Sequence, residues 1–367
     1  MMGRLGAATH GVYNVDTLFD EGFMTGTGSN FFNIAWGLSE RGHIVDAFCQ
    51  ATQRFIGHPK LAGVNVYSID EPGMGPDDTY DVYVAINEPD LLRQAPSKAL
   101  RLCATWLNDW SFTTAGFDEH VDLYVCPSWT HARYIHDTTG IAREKLTVIN
   151  LATNAEWFSE LVERIPTQAA YCSSPDRGLH HVLDLWPDVR AQVPSATLKV
   201  YYLLQPWLNF MLARPPSEDE VWKRAALITK QLQILGRNGE QGVEVVGPIP
   251  PKKMAKALLA SSVLVYPCDP VRFTEGFSVS IMDACMAGCV PLTTPVDALP
   301  EVYGGVTHMI AGNPAAKKKE WVDAIVGVMQ GRALTGLGAS ARAYAATHTR
   351  QKMAHEWETL IEERRKK

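Results

Sequence analysis

Apolar runs of about five residues recur along the chain, separated by longer stretches in which apolar positions return about every third or fourth residue. In the first half this pattern predicts strands at 11–15, 44–49, 64–69, 80–86, 100–105, 123–126 and 146–149, with helices at 30–40 and 130–138. Continuous apolar strands divided by helices mark a parallel sheet covered on both faces, so this half reads as one α/β unit. The pattern restarts beyond Asn154. Strands are expected at 169–172, 198–204, 243–246, 263–266 and 290–293, and helices at 178–193, interrupted near Pro187, and at 218–235, 251–260 and 278–287. The aromatic, proline-bearing stretch 205–218 reads as a loop or short helix. Amphipathic segments at 320–330 and 339–364 complete the chain, and 362–367 reads as a frayed, solvated tail. The expected division is an N-terminal domain over 1–160, a second α/β domain over 161–345, and a C-terminal helix over 346–367 that can pack back on the first domain.

Composition narrows this picture without redirecting it. A chain of 367 residues suits two hydrophobic cores better than one. Hydrophobic residues at 46% and charged residues at 20% are those of a folded globular protein. A net charge of -6 gives no support to a nucleic-acid partner or to an anionic membrane surface. No apolar window is long enough to cross a bilayer, and Met1-Met2-Gly3-Arg4-Leu5 opens no signal-peptide core, so a cytoplasmic protein without a transmembrane segment is expected. The seven cysteines are scattered through apolar runs and read as buried thiols. The histidines show no metal-ligand spacing, adjacent His180 and His181 should diverge on their helix, and no D-x-D occurs, so no metal is expected. Cys285 and Cys289 share a helix face and are expected to pack in the core.

The segment Phe273-Thr274-Glu275-Gly276-Phe277-Ser278-Val279, continuing to Gly288-Cys289-Val290-Pro291, carries the most chemistry. A serine able to cap, an apolar run and a closing glycine predict a helix between two strands. Amides at its start have no partner within the helix, so a diphosphate can bind there. Glu275 precedes the helix and Asp283 lies inside it, one placed to approach a sugar and the other to accept from ribose hydroxyls.

This stretch resembles the E-x7-E motif of the retaining glycosyltransferases of family 4. Glu275-Gly276-Phe277 matches its opening, Asp283 stands at the second acidic position, and Ala287-Gly288-Cys289-Val290-Pro291 matches its end. Gly26-Thr27-Gly28-Ser29, followed by Arg41-Gly42-His43, is similar to the family's first glycine-rich loop. Ser173-Ser174-Pro175-Asp176-Arg177-Gly178 is similar to the region that opens its second domain, with Arg177 at a usual lysine and no second cation where one is expected. Lys252, Lys253 and Arg272 are alternatives for that charge. Val243 to Pro250 resembles the base-holding strand and loop. Departures fall on the acceptor side: Asn108-Asp109-Trp110 stands where the family often has a histidine and aspartate, and Asn150 to Asn154 lacks the usual proline and glycine.

The resemblance implies a GT-B fold, two Rossmann-like α/β domains facing across a cleft. It also implies transfer of a sugar from a nucleoside-diphosphate sugar to a hydroxyl on a small molecule or glycan, with retention and no cofactor. Glu275 and Arg177 would be the catalytic pair. Gly28, Ser29, Arg177, Gly276, Phe277, Ser278 and Val279 would meet the diphosphate. Asp283, Gly247, Pro248 and Ile249 would hold ribose and base, and Asn108, Asp109 and Trp110 would meet acceptor or donor sugar. The aromatic stretches 106–112 and 207–210 are further candidates for the acceptor. A nucleotide-sugar epimerase on the same plan, or a catalytically silent sugar-nucleotide binder, are the alternatives; a phosphorylase would need a cofactor lysine and a longer chain.

Overall fold

The computed structural model describes residues 3–366 apart from 52, 71–77, 111–112, 217–218, 333 and 335, and they form two units, 1–154 with 348–367 and 155–347. The first unit begins with β1 (Arg4–Tyr13), α1 (Gly26–Glu40), β2 (Ile44–Ala51), β3 (Phe55–His58), β4 (Val64–Ser68) and β5 (Val82–Ile86). It continues with β6 (Leu100–Ala104), β7 (Leu123–Cys126), α2 (Trp129–Thr139) and β8 (Leu146–Val148). The second unit holds β9 (Ile165–Tyr171), α3 (Leu179–Gln192), β10 (Thr197–Val200), α4 (Leu204–Leu212), α5 (Glu220–Leu235), β11 (Val243–Val245) and α6 (Pro251–Ala260). There follow β12 (Ser261–Tyr266), α7 (Val279–Met286), β13 (Val290–Thr293), α8 (Leu299–Tyr303), β14 (His308–Met309), α9 (Lys318–Met329) and α10 (Leu337–Ala345). The last helix, α11 (Arg350–Arg365), belongs to the first unit.

The sheets run β3-β4-β2-β1-β5-β6-β7-β8 and β11-β10-β9-β12-β13-β14. Every pairing is parallel except β3 with β4. Central strands such as β5 and β12 are buried along their whole length, as helices on both faces require. In each sheet the chain fills one side and then the other, leaving a switch point between β1 and β5 and another between β9 and β12. Ligands of open α/β sheets gather at such points, beyond the carboxyl ends of the strands.

Several expected elements moved. The first strand is Arg4–Tyr13, not 11–15. Its small residues look like a turn in sequence, but a Cβ at Gly6 would stand 2.4 Å from the Tyr83 ring, so close packing of the sheet selects glycine there. The Gly26-Thr27-Gly28 stretch, expected as a loop, is the first turn of α1. Thr25 is its N-cap, its Oγ1 accepting from the Gly28 amide at 3.1 Å. Thr25→Ala should therefore cost about 1 kcal/mol and lower the thermal midpoint by roughly 2–4 °C, a shift that a loop at this place would not show. The second-domain helix runs unbroken through Pro187 because Leu183 and Trp186 are held in the core. The apolar run expected as a strand to residue 204 ends as strand at Val200, and Leu204 opens α4.

The segment 339–364 divides into α10 and α11, the second capped by Thr349, whose side chain accepts from the Lys352 amide. In place of a frayed tail the helix reaches Arg365, which bonds Asp81 at 2.7 Å. α11 lies against α1 so closely that a Cβ on Gly37 would meet that of Ala354 at 2.6 Å. Residue 218, the expected start of α5, and residue 367 of the expected tail lie outside the described residues. Among the described residues no helix is long and apolar enough to cross a membrane.

Candidate functional site

Arg177 and Glu275 meet at the switch point of the second sheet. A 3-10 turn at Pro175–Arg177 follows β9, and the loop that carries Glu275 follows β12. Neighbouring parallel strands thus bring together two residues 98 positions apart: Arg177 Nη1 donates to Glu275 Oε1. The same oxygen accepts from Tyr266 Oη at 2.8 Å, and Tyr266 in turn accepts from Ser173 Oγ at 3.1 Å. Glu275 is 2% exposed. Burial pushes its carboxyl above the ordinary carboxylate range, and the pull of Arg177 and Tyr266 recovers only part of that. Burial also works against the Arg177 charge, yet Glu275 outweighs it and holds the guanidinium more firmly protonated. The Arg177 side chain keeps 27% of its surface exposed, and its Nε is buried without an acceptor.

The Glu275 backbone is fixed as well. Asp297 Oδ2 accepts from the amides of Thr274 and Glu275 at 2.9 and 3.0 Å, and the Ala298 amide donates to the Glu275 carbonyl at 3.1 Å. Asp297 holds a left-handed backbone with φ 51°, a conformation aspartate tolerates better than most residues. Sequence reasoning found neither Asp297 nor Tyr266. The signal for the first was a Pro-Val-Asp turn that reads as structural, and for the second nothing more than the last residue of a buried strand.

Beyond Glu275 the chain enters α7. Ser278 occupies the N-cap position expected of it, but its side chain makes no capping bond. The amides of Phe277, Ser278, Val279, Ser280 and Ile281 donate to no acceptor among the described residues, although Phe277 and Ser278 are buried. Buried amides are rarely left without a partner. Ser280 Oγ donates to the Cys172 carbonyl at 2.6 Å, which fastens the start of α7 to the end of β9. Asp283 lies half-buried one turn further on. After burial, the dominant cause, it helps push the Cys172 thiol up to about 12. Gly247 has φ 87° and open space where a Cβ would stand, its amide reaching the Val200 carbonyl at 3.4 Å. The Ile249 amide and the carbonyls of Gly247 and Pro248 make no hydrogen bond among the described residues. Lys252, Lys253 and Arg272 are exposed on the surface.

The first unit revises several expectations. Gly28 offers no free amide, since Thr25 Oγ1 takes it, and its missing side chain makes room for Tyr13, whose ring would stand 2.6 Å from a Cβ. The Ser29 amide is likewise taken, by the Thr25 carbonyl at 2.9 Å. Trp110, expected to meet acceptor or donor sugar, is instead a core residue packed against Phe117 and Tyr124, with Nε1 donating to the Leu107 carbonyl. Asn108 is half-buried, its carbonyl accepting from Tyr134 Oη at 3.0 Å, and Asp109 is exposed. Residues 111–112 of the expected aromatic stretch lie outside the described residues. Asn154 serves the fold: its Oδ1 accepts from Arg350 at 2.6 Å and its Nδ2 donates to Asn33. At the switch point between β1 and β5, His10 Nδ1 pairs with Glu88, a half-exposed dyad that sequence reasoning missed because 78 residues separate its members.

Residues 217–330 match the family model described as glycosyl transferases group 1, a segment that contains both Glu275 and Asp283. No curated protein sequence matches the chain. Among solved structures the chain is similar to Anabaena HepE, solved in complex with UDP and glucose, with a TM-score of 0.68, 13% identity, and coverage of 98% of this chain and 100% of that one. It is similar to the sucrose-phosphate synthase of Thermosynechococcus elongatus with a TM-score of 0.68 and 12% identity over 98% of each chain. With the pneumococcal O-GlcNAc transferase GtfA, solved with UDP and GlcNAc, the TM-score is 0.55 at 12% identity over 77% of this chain. The chain spans 57% of the length of that protein. At such identities the likeness is one of fold, and the fold is the GT-B architecture of two Rossmann-like α/β domains that these proteins share.

Proposed function

We propose that the chain is a glycosyltransferase that takes its sugar from a nucleoside-diphosphate donor and passes it, with retention of anomeric configuration, to a hydroxyl on a small molecule or glycan. One observation carries this reading: five consecutive amides, from Phe277 to Ile281, lack acceptors among the described residues at a sheet switch point, two residues beyond a buried carboxylate paired with an arginine. Such a row of N-H groups at a helix start suits a diphosphate, and Arg177 adds a cation beside it. Asp283 would accept from the ribose, and the open backbone of Gly247 to Ile249 would take the base.

Two charges develop in the transfer. The bond from the anomeric carbon to the diphosphate oxygen breaks, leaving negative charge that the amides and Arg177 stabilise. The sugar meanwhile becomes cation-like, and the Glu275 carboxylate offsets that charge at short range. The acceptor oxygen bonds the anomeric carbon on the face the diphosphate leaves, and its proton passes to a phosphate oxygen. Glu275 is not assigned as a covalent nucleophile, because paired-carboxylate glycoside chemistry needs two carboxyl groups across one bond. On the first unit, Asn108 and Asp109 would meet the acceptor.

The test is a panel of UDP-, GDP-, ADP-, CDP- and dTDP-sugars scored by thermal shift and by released nucleoside diphosphate, starting with UDP-sugars because HepE and GtfA were solved with UDP. One base series is expected to raise the midpoint by several degrees through binding the folded state. Absence of stabilisation by every donor would sink the site. Stabilisation without any diphosphate release, across a broad acceptor set, would favour a silent binder instead.

A further inference from the structure

His180 and His181 do not diverge. Their rings lie 3.9 Å apart between centroids, and one donor atom from each, with one from Asp269, all fall within 4.8 Å of one another. The arrangement follows from how α3 starts. Gly178 precedes the helix with φ 111°, and a Cβ there would stand 2.1 Å from the Pro267 carbonyl, so the helix begins in contact with the loop that leaves β12 and bears Asp269. α5 presses from the other side. Arg224 donates to the carbonyls of Asp176 and Asp269, and Gln231 donates to the His180 carbonyl at 2.9 Å.

The cluster is incompletely satisfied. His181 Nε2 lies 2.9 Å from Asp269 Oδ2, but the His180 imidazole makes no hydrogen bond among the described residues and its Nδ1 is buried without a partner. His180 is 8% exposed. Leaving such a nitrogen dry costs about 1–3 kcal/mol, and a group of this kind ordinarily marks a water or an ion. Asp269 Oδ1 also makes no hydrogen bond among the described residues, and the side chain is 28% exposed, which gives a route from solvent.

We propose that His180, His181 and Asp269 bind one divalent transition-metal ion of the zinc class, two imidazoles and a carboxylate supplying the ligands and solvent completing the shell on the Asp269 side. Two nitrogens and one oxygen within this spacing suit a borderline metal. The 2.9 Å separation of His181 Nε2 from Asp269 Oδ2 is close to that of two ligands on one tetrahedral ion. Arg224, 3.4 Å from Asp269 Oδ2, tempers the affinity without occupying Oδ1. An ion here would fasten the first turn of α3, next to Arg177, to the loop that leads to Glu275.

The experiment uses tag-free, full-length protein stripped with chelator and then titrated with Zn2+ or Co2+. The parent should take up one equivalent in equilibrium dialysis, develop the visible absorption of low-coordinate Co2+, and gain several degrees in thermal midpoint. His180→Phe keeps an aromatic ring against His181 but removes both nitrogens; it should fold in chelator as well as the parent, bind at least about tenfold more weakly, and lose the Co2+ spectrum. Should that variant not fold, Asp269→Asn replaces it under the same criteria. Equal uptake and an unchanged Co2+ spectrum in the variant would overturn the proposal, as would a parent that shows no saturable uptake at micromolar free metal.

Discussion

Glu275→Gln should lower turnover about 10²–10³-fold while moving donor affinity by less than about threefold. The exchange is isosteric, and the glutamine carbonyl can still accept from Tyr266 Oη and Arg177, so the pocket and the Arg177 position are retained. What is lost is a full negative charge at a site 2% exposed, where little water competes with it. That charge matters only as the sugar becomes cation-like, so the loss should appear in kcat and scarcely in KM. Ionisation gives a second readout. Burial raises the Glu275 carboxyl above its ordinary 4.5, so turnover of the parent should fall on acidification along a limb placed above that value. The limb should vanish from the residual activity of the variant. Equal kcat for the two proteins would remove Glu275 from the chemistry.

Much of the architecture was legible, and for a plain reason: buried parallel strands are short continuous apolar runs. β7, α6 and β13 have the bounds that periodicity gives them. Legibility fails where packing decides. The small residues that open β1 give no strand signal, and the first turn of α1 reads as a loop, because glycine there answers to the rings of Tyr83 and Tyr13, which local pattern does not show. Pro187 reads as a break but sits in an intact helix anchored by its neighbours. Trp110 reads as a sugar contact because an aromatic residue beside polar ones gives no sign of which face the fold buries.

The site divides along the same line. Glu275 and Asp283 stand out in sequence because they flank the start of one helix at a set spacing, and Arg177 because it ends a turn before another helix. The contact between Arg177 and Glu275 depends on β9 lying beside β12, which local pattern does not state. Asp297, Tyr266 and the His180–His181–Asp269 cluster depend on the same tertiary adjacency. Each is a polar group whose chemistry becomes visible only when its neighbour is known.

Arg177→Ala should destabilise the protein by about 3 kcal/mol, a fall of roughly 6–12 °C in the midpoint of the second unit. The cost lies at the lower end for a broken buried pair because 27% of the Arg177 side chain is exposed. The cost arises mainly from what is left behind: a buried Glu275 carboxylate with Tyr266 as its one remaining side-chain donor among the described residues. Without the guanidinium its pKa rises further above 4.5, so the folded state binds more protons than the unfolded state between that value and the new pKa. Stability of the variant should accordingly fall as pH rises through this window, and its deficit against the parent should shrink on moving from about pH 7.5 toward pH 5. Removing the stranded charge should restore the fold: Arg177→Ala with Glu275→Gln is expected to recover most of the midpoint, the non-additivity of a coupled pair. That double variant also isolates the role of Arg177 toward the donor. Compared with Glu275→Gln alone, it should bind the donor about tenfold or more weakly, the loss of a charge-assisted contact to phosphate. Equal donor affinity in the two would leave Arg177 as a structural partner of Glu275 and move the diphosphate wholly onto the amides of α7.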